Sequence, residues 1–167
     1  MHYLITGGVR SGKSAYAQNL ALSFSPNPVY LATSKVWDED FAQRIQRHKS
    51  DRDDRWKNYE IEKTLSSLPV RNEVIVVDCI TLWLTNFYSD HKYQLEPSLQ
   101  ESKMEMQKFL EIPNQYIFIT NEIGLGGHAE TEIGRKFADL QGWFNQYLAS
   151  HVDTVYLMVS GIPLKIK

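Results

Sequence analysis

The chain contains five short apolar runs, which are nearly continuous and do not alternate with polar residues. This pattern is typical of β-strands that are buried on both faces, as in a parallel sheet covered by helices. We therefore predict five strands, at residues 3–6, 29–33, 74–78, 116–120 and 155–159.

Apolar residues at helical spacing lie between these runs, so that each predicted helix has one apolar face. The stripes consist of Tyr16, Ala17, Leu20, Ala21 and Phe24 after the first strand, Phe41, Ala42 and Ile45 after the second, Leu99, Met106, Phe109 and Leu110 before the fourth, and Ile133, Phe137, Leu140, Phe144 and Leu148 before the fifth. Strands and helices in alternation predict right-handed crossovers and a parallel sheet. Ligands of such sheets bind beyond the carboxyl ends of the strands, so we look for chemistry there.

The composition is that of an ordinary globular protein. Of the 167 residues, 43% are hydrophobic and 23% are charged, which predicts a single folded domain over residues 1–167. The net charge of -2 gives no basic field that would attract nucleic acid, although a local basic patch stays open. Cys79 is the one cysteine, which excludes an internal disulfide and a cysteine-based zinc cluster.

The sequence also predicts where the protein works. No stretch approaches the roughly 20 apolar residues of a membrane span, and the apolar run at the N-terminus is too short for a signal peptide. The single cysteine fits a reducing compartment. We therefore expect a cytoplasmic protein without stable membrane insertion.

A glycine-rich stretch follows the first predicted strand. It reads Gly7-Gly8-Val9-Arg10-Ser11-Gly12-Lys13-Ser14 and matches the phosphate-loop pattern G-x-x-x-x-G-K-[ST]. The glycines let backbone N–H groups surround a phosphate, and the next helix adds the positive end of its dipole. Lys13 supplies a charge for the β- and γ-phosphates, and Ser14 offers a hydroxyl to Mg²⁺. The strand before and the helix after disfavour an accidental glycine turn.

The third predicted strand ends in an acid. Four apolar residues precede Asp78, a pattern in which a carboxylate at the strand tip helps to hold Mg²⁺. Because many strands end in Asp, the pattern gains its meaning from the phosphate loop. Together the two motifs predict an α/β P-loop NTPase fold of the RecA-like type, a three-layer sandwich with a mainly parallel central sheet, that binds a magnesium nucleotide.

A basic helical segment follows the second predicted strand. Phe41, Ile45 and His48 share one face of it, and Arg44 and Arg52 lie one turn before and after the histidine. An imidazole near a phosphate site can donate hydrogen bonds to phosphate or attack phosphorus. Neighbouring cations favour its neutral, nucleophilic form. The plain alternative is a half-buried histidine on a solvated, charged helix.

Further stretches along the whole chain carry a resemblance to a known family. They are residues 6–14, 30–34, 44–49, 78–81 with Thr85 and Asn86, 120–124, 145–146, and 159–163 with Lys165. With these stretches the chain resembles the bifunctional adenosylcobinamide kinase/adenosylcobinamide-phosphate guanylyltransferases of cobalamin biosynthesis. The phosphate loop alone is generic, whereas the Arg-His-Lys helix and the Thr-Asn-Glu-Ile-Gly stretch at 120–124 make the resemblance specific.

The resemblance implies two reactions on one corrinoid substrate. The first phosphorylates the aminopropanol hydroxyl of adenosylcobinamide with ATP or GTP. The second transfers GMP from GTP, through a guanylylated histidine, to adenosylcobinamide phosphate, which yields adenosyl-GDP-cobinamide and pyrophosphate. His48 stands at the position of that histidine, and with Lys13 it forms the expected catalytic pair.

The resemblance also implies the nucleotide contacts. They are Gly7, Gly8, Val9, Arg10, Ser11, Gly12, Lys13, Ser14, Thr33, Ser34, Lys35, Lys49, Ser50, Asp51, Arg52, Glu60 and Asp78, with Ser14 and Asp78 as the Mg²⁺ ligands. The carboxylate of Glu60 suits the N1–H and N2–H₂ edge of guanine. Glu60 and Glu62 lie in the alternating run Tyr59-Glu60-Ile61-Glu62, which puts both on one strand face. Glu62 is therefore the competitor of Glu60, and either acid can instead be plain surface. A homo-oligomer, a trimer in particular, is implied as well.

Several alternatives stay open. The loop after Gly124 reads Leu-Gly-Gly-His128, where many members have Gly-x-Val-Pro, so its contacts with cobinamide are unassigned and His128 is expected to be a loop histidine. Three locations stay open for the large aromatic residues Trp83, Trp143 and Phe144: a corrinoid site, the core, or a subunit interface. The alternative functions are a P-loop small-molecule kinase without guanylyl transfer and a non-catalytic GTP-binding regulator.

Overall fold

The computed structural model describes residues 1–35 and 53–167, which form one sheet with helices on both faces. The strands are β1 Tyr3–Gly7, β2 Val29–Ala32, β3 Lys57–Glu60, β4 Val74–Asp78, β5 Gln115–Ile119, β6 Thr154–Val159 and β7 Ile162–Lys165. The helices are α1 Lys13–Phe24, α2 Ile80–Asp90, α3 Leu95–Leu110 and α4 Glu132–His151. Short 3₁₀ turns lie at Leu65–Ser67 and Ile123–Gly126.

The sheet is parallel except at one edge. Its strand order is β3-β2-β4-β5-β1-β6-β7, and only β7 runs antiparallel to its neighbour. All five predicted strands are present, with bounds shifted by one residue at most. The carboxyl ends of β1, β2, β4 and β5 meet at one edge of the sheet, which is where ligands of such folds bind.

Two apolar cores lie on the two faces of the sheet. Helix α1 packs on one face, where Ala17 and Ala21 are fully buried against Ile5 and Val76. Helices α2, α3 and α4 cover the other face, which contains the larger core. The structure is therefore the three-layer sandwich that the alternating pattern predicts.

Two details of the helix prediction are wrong at the helix ends. Phe24 ends α1 and Ile133 lies in the first turn of α4, and each was expected to face the core. Their side chains are 43% and 49% exposed, because a residue in the terminal turn of a helix has a neighbouring turn on one side only. The helix predicted from Phe41, Ala42 and Ile45 lies outside the described residues.

Helix α2 follows β4 directly and has no counterpart in the prediction. Six of its eleven residues are buried, and they lie on more than one side of the helix, so no apolar stripe marks it. Trp83, at its centre, is fully buried and donates its indole N–H to the carbonyl of Lys63 at 2.8 Å. Over residues 1–35 and 53–167, no helix is both long enough and apolar enough to span a bilayer.

Candidate functional site

The glycine-rich stretch forms a loop between β1 and α1. Gly7 and Gly12 have φ angles of 148° and 93°, in a region that residues with a Cβ rarely adopt. A Cβ on Gly7 would lie 2.6 Å from the carbonyl oxygen of Met158 in β6, so the loop also sits too close to its neighbour for a side chain. Gly8, Val9 and Arg10 form the exposed rim of this loop.

Lys13 is buried inside the loop. Its side-chain Nζ donates to the carbonyl oxygen of Gly8 at 2.5 Å and lies 3.5 Å from the hydroxyl of Ser11. Burial lowers the pKa of Lys13, and the nearby Asp78 carboxylate opposes that effect. A cation that is held by carbonyl and hydroxyl oxygens in the middle of a phosphate loop is placed to bind an anion.

Ser14 and Asp78 meet although their strands are not neighbours. Strand β5 lies between β1 and β4, and α1 leans across it, so that the hydroxyl of Ser14 donates to Oδ2 of Asp78 at 3.0 Å. Tyr30 donates its hydroxyl to the same oxygen at 2.6 Å. A hydroxyl and a carboxylate beside a phosphate loop are the oxygen donors that Mg²⁺ takes, so this pair fits the ion.

The end of β2 is joined to the end of β4. Thr33 is fully buried, donates its backbone N–H to the carbonyl of Asp78 at 3.2 Å and donates its hydroxyl to the carbonyl of Cys79 at 2.8 Å. Asn86 of α2 donates to the carbonyls of Thr33 and Glu62, at 3.0 and 2.7 Å. Ser34 is half-buried beyond this junction, and the structure therefore holds the chain in place where the second crossover leaves the sheet.

Glu60 ends β3 at the same edge of the sheet. It is exposed and pairs in register with Ala32, which in turn pairs with Asp78. At about 4.8 Å per strand, the Cα atoms of Glu60 and Asp78 are roughly 10 Å apart. Tyr59 and Ile61 pack on the larger core, so the Glu60 side chain points to the α1 face. Glu62 lies just beyond the strand and is also exposed.

A buried polar network lies behind the phosphate loop, and the residue-by-residue predictions did not assign it a role. Glu122 accepts a hydrogen bond from the hydroxyl of Thr6 at 2.8 Å and another from the amide of Asn145 at 3.1 Å, both at Oε1. Its backbone N–H donates to the carbonyl of Gly7 at 3.2 Å. Gln141 and Thr120 bind Oδ1 of Asn145, at 2.9 and 2.8 Å. The network fixes a carboxylate beside the first residue of the loop.

A cavity opens between the phosphate loop and the 3₁₀ turn. Its volume is about 480 Å³, and it is lined by Gly8, Val9, Asn121, Glu122, Ile123, Leu125 and Gly126. Val9 and Leu125 are 86% and 76% exposed. An apolar hollow therefore adjoins the phosphate loop, with Glu122 on its wall.

Other predicted site residues are placed as follows. His48, Lys49, Ser50, Asp51 and Arg52 lie outside the described residues. Lys35, the last described residue before them, is exposed.

The three aromatic residues have different surroundings. Trp83 and Phe144 are fully buried and contact each other in the larger core, which supports the core alternative for both. Trp143 is 43% exposed on α4, and His128 is an exposed loop residue, as expected. Burial raises the pKa of the Cys79 thiol to about 12, so this cysteine stays protonated and is no nucleophile.

Comparison with solved structures supports the fold. A prototypical ATPase from the type III secretion system of pathogenic bacteria matches 93% of this chain and 50% of its own, with a TM-score of 0.51 and 9% identity. At that identity the likeness concerns the fold alone. With the observed sheet and layers, it confirms the predicted P-loop α/β architecture.

Comparison with sequences identifies the family. The bifunctional adenosylcobalamin biosynthesis protein CobU of Escherichia coli is 35% identical over 182 residues and aligned over 100% of both chains. The CobU protein of Salmonella typhimurium is 34% identical over 185 residues, again over 100% of both chains. The CobP protein of Pseudomonas aeruginosa is 34% identical over 171 residues, which is 100% of this chain and 98% of the relative. Residues 3–166 match the family described as cobinamide kinase / cobinamide phosphate guanyltransferase, and the chain belongs to that family.

Proposed function

We propose that this chain phosphorylates adenosylcobinamide with ATP or GTP and then transfers GMP from GTP to the resulting phosphate. One observation carries the proposal: in a member of this family, Lys13 is buried in the phosphate loop while Ser14 is bonded to Asp78 at its mouth. The two products in turn are adenosylcobinamide phosphate and adenosyl-GDP-cobinamide. One domain, residues 1–167, carries both reactions.

The phosphate loop binds the nucleotide triphosphate in the kinase step. Backbone N–H groups of the loop and the N-terminus of α1 face the phosphates, and Lys13 exchanges the Gly8 carbonyl for phosphate oxygens. In this step the acceptor hydroxyl attacks the γ-phosphorus, and the nucleoside diphosphate leaves. The fixed charges and amides stabilise the negative charge that spreads over the phosphoryl oxygens.

The oxygens of Ser14 and Asp78 would hold Mg²⁺. When bound, the ion neutralises phosphate charge and orients the leaving oxygen. The structure supports the assignment through the donor set, since a hydroxyl and a carboxylate lie within 3.0 Å of each other at the open end of the loop. Tyr30 holds the Asp78 carboxylate in place through its own hydrogen bond.

His48 is the proposed nucleophile of the second reaction. A neutral ring nitrogen attacks the α-phosphorus of GTP, a P–N bond forms, and the bond to pyrophosphate breaks. A phosphate oxygen of adenosylcobinamide phosphate then attacks the same phosphorus, and the P–N bond breaks. Without the intermediate, one anion, the acceptor phosphate, would have to attack another, GTP. The covalent intermediate replaces that single displacement with two easier steps.

The proposed contact with the guanine base comes from the end of β3, which lies at the same edge of the sheet as the phosphate loop. Glu60 would accept the N1–H and N2–H₂ donors of guanine, which its exposed position at the end of β3 allows. The remaining proposed nucleotide contacts lie in the sequence between β2 and β3: they are Thr33, Ser34, Lys35, Lys49, Ser50, Asp51 and Arg52.

We also propose that the chain acts as a homo-oligomer, a trimer in particular, in the cytoplasm. Support for association comes from the edge of the sheet, where β7 is exposed along its length. Its Ile162 and Leu164 are 70% and 54% exposed, and Val159 of β6 is 54% exposed. A second copy of this chain would remove that apolar edge from water.

The decisive experiment follows GMP through the protein. The chain is incubated with GTP that carries ³²P at the α-position and with Mg²⁺, and the protein is tested for acid-labile, alkali-stable label. We expect the His48→Ala variant to retain no label and to transfer no GMP to adenosylcobinamide phosphate, while it still binds nucleotide. The reason is that alanine has no atom that can form the P–N bond.

A matched control is His151→Gln. His151 is exposed at the end of α4, near the edge of the sheet opposite to the phosphate loop, so this variant should label as the wild type does. Label or transfer by His48→Ala at the wild-type rate would remove the histidine assignment. A wild-type protein that phosphorylates cobinamide and never takes up label would instead be a plain kinase.

A further inference from the structure

The carboxylate of Glu122 is the strongest chemical group at this edge of the sheet that the proposed function leaves unused. Two donors, from Thr6 and Asn145, bind the same oxygen, Oε1. Among residues 1–35 and 53–167, no hydrogen bond reaches Oε2 of Glu122. One oxygen is therefore anchored, and the other remains for a ligand.

The hydrogen bonds that hold the Glu122 carboxylate are themselves supported by further side chains, which is unusual for an acid at the surface. Asn145 is itself bound by the side chains of Gln141 and Thr120, and both of these are buried. Four side chains from β1, the end of β5 and α4 thus orient one carboxylate. Hydrogen bonds that link buried side chains in this way fix the positions of the groups that they join.

The position of the carboxylate relates it to the phosphate loop. The backbone N–H of Glu122 donates to the carbonyl of Gly7, and the carbonyl of the next residue, Gly8, holds the amine of Lys13. Glu122 and Gly8 also line the same cavity of about 480 Å³. An acceptor in this cavity would lie between the carboxylate and the phosphates bound by the loop.

We infer that the cavity between the phosphate loop and the 3₁₀ turn receives the hydroxyl-bearing arm of the kinase acceptor, and that Glu122 is the general base for that hydroxyl. Its Oε2 accepts the hydroxyl proton while the oxygen attacks the γ-phosphorus, and the bond to the nucleoside diphosphate breaks. Apolar Val9, Ile123 and Leu125 contact the carbon atoms of the arm. This inference rests on the proposed kinase reaction.

The two reactions differ in whether their acceptor must lose a proton. The kinase acceptor is a neutral alcohol, which must lose a proton as the new bond forms. The acceptor of guanylyl transfer is a phosphate, which is already an anion and needs no base. Glu122 is therefore required for the first reaction and dispensable for the second.

The test is the Glu122→Gln variant of the full chain. Glutamine keeps an oxygen that can accept the hydrogen bonds of Thr6 and Asn145 but cannot take up a proton. With adenosylcobinamide and ATP we expect kcat of phosphorylation to fall by ~10²–10³-fold, the range for loss of a general base, with KM for ATP unchanged. Protein labelling by α-³²P-GTP and transfer to adenosylcobinamide phosphate should stay within about 2-fold of the wild type.

Glu130→Gln is the matched control. Glu130 is exposed in the loop that follows the cavity wall, so its variant should phosphorylate at the wild-type rate. A Leu125→Asp variant tests the cavity, because an acid there should raise KM for adenosylcobinamide at least ~10-fold and leave KM for ATP unchanged.

The outcomes separate this inference from the proposed function. If the wild type phosphorylates adenosylcobinamide and Glu122→Gln does so at a similar kcat, Glu122 is not the base. An equal fall of both reactions in Glu122→Gln, with a lowered melting temperature, would make the residue structural and also overturn the inference. A wild-type chain that phosphorylates no adenosylcobinamide would count against the proposed function itself.

Discussion

At the scale of single residues, Lys13 shows how the site is prepared for an anion. Its side chain is only 8% exposed, and its ammonium group donates to the carbonyl of Gly8 and lies 3.5 Å from the hydroxyl of Ser11. Burial of a cation is unfavourable, which is why the pKa of Lys13 is lowered. A bound triphosphate supplies the negative charge that this position lacks.

We expect Lys13→Ala to lower kcat/KM of phosphorylation by ~10²–10³-fold, because a preorganised charge on the transferring phosphate is lost. Steady-state kinetics with adenosylcobinamide and ATP measure the effect. Lys108→Ala, which removes an exposed lysine on α3, serves as control and should have no effect. Unchanged phosphorylation by Lys13→Ala would contradict the role of the loop, provided that circular dichroism shows both variants folded.

At the scale of secondary-structure elements, the β6–β7 turn supports the phosphate loop. Gly161, in this turn, donates its backbone N–H to the carbonyl of Ser11 at 3.0 Å. A Cβ on Gly12 would lie 3.1 Å from Cα of Gly161, so two backbones meet there without side chains between them. The antiparallel edge strand thus helps to set the conformation of the loop.

Gly12→Ala tests this contact. The φ angle of 93° at Gly12 is unfavourable for alanine, by about 1–2 kcal/mol, and the added methyl group would push against Gly161. We expect nucleotide affinity, measured by calorimetry, to fall at least ~10-fold. Gly142→Ala in α4 meets no atom within 4 Å and should bind nucleotide as the wild type does. Equal affinities for the two variants would show that the loop adapts without its glycine.

The elements that the sequence predicts well are those with a local signal. Strand β4 reads as four apolar residues before Asp78, and the phosphate loop has fixed spacing, so both are found at the expected place. Strand β7 is exposed throughout and contains Pro163, and strand β3 contains three exposed residues out of four. Such edge strands carry no buried run: only the alternation at residues 59–62 indicates a strand near β3, and no pattern indicates β7.

The residues of the candidate site also fall into those that a local motif predicts and those that it does not. Lys13, Ser14 and Asp78 can be predicted because each belongs to a motif that is tied to a strand end. Glu122 could be noticed only as part of a stretch, since its partners Thr6 and Asn145 lie 116 and 23 positions away. Contacts at such separation come from the packing of β1, β5 and α4, which periodicity does not specify.

At the scale of the whole molecule, the two ends of the parallel strands differ in what they contain. The edge at the carboxyl ends of β1 and β4 holds the candidate site. The opposite edge is closed by the chain termini: the carbonyl of His2 accepts hydrogen bonds from the backbone N–H groups of Asp153 and Thr154, at 3.0 and 3.3 Å. Lys167 donates to the carbonyls of Ala149 and Val152 at the end of α4. Substitutions at this end of the sheet can therefore change the free energy of unfolding without altering the candidate site.

His2 makes that stability depend on pH. Its Nδ1 accepts a hydrogen bond from the backbone N–H of Tyr116 at 3.3 Å, so this nitrogen carries no proton in the folded chain. Burial lowers the pKa of His2 from its ordinary value of 6.5, the N-terminal ammonium lowers it further, and Asp153 opposes them. Above the ordinary value both states are neutral and the contribution of His2 is complete. As the pH falls below 6.5, the unfolded chain binds a proton that the folded chain does not, and stability is lost.

The His2→Asn variant isolates this effect, because the asparagine oxygen can accept the Tyr116 N–H and does not titrate. Between about pH 7.5 and about pH 5.5, we expect the free energy of unfolding from urea denaturation to fall more for the wild type than for His2→Asn. The two chains should phosphorylate adenosylcobinamide equally at neutral pH, since His2 lies at the edge away from the phosphate loop. An equal loss of stability in both would mean that His2 takes up its proton without cost in the folded chain. That result would contradict the half-buried, neutral state of this residue and leave the site at the other end of the strands unaffected.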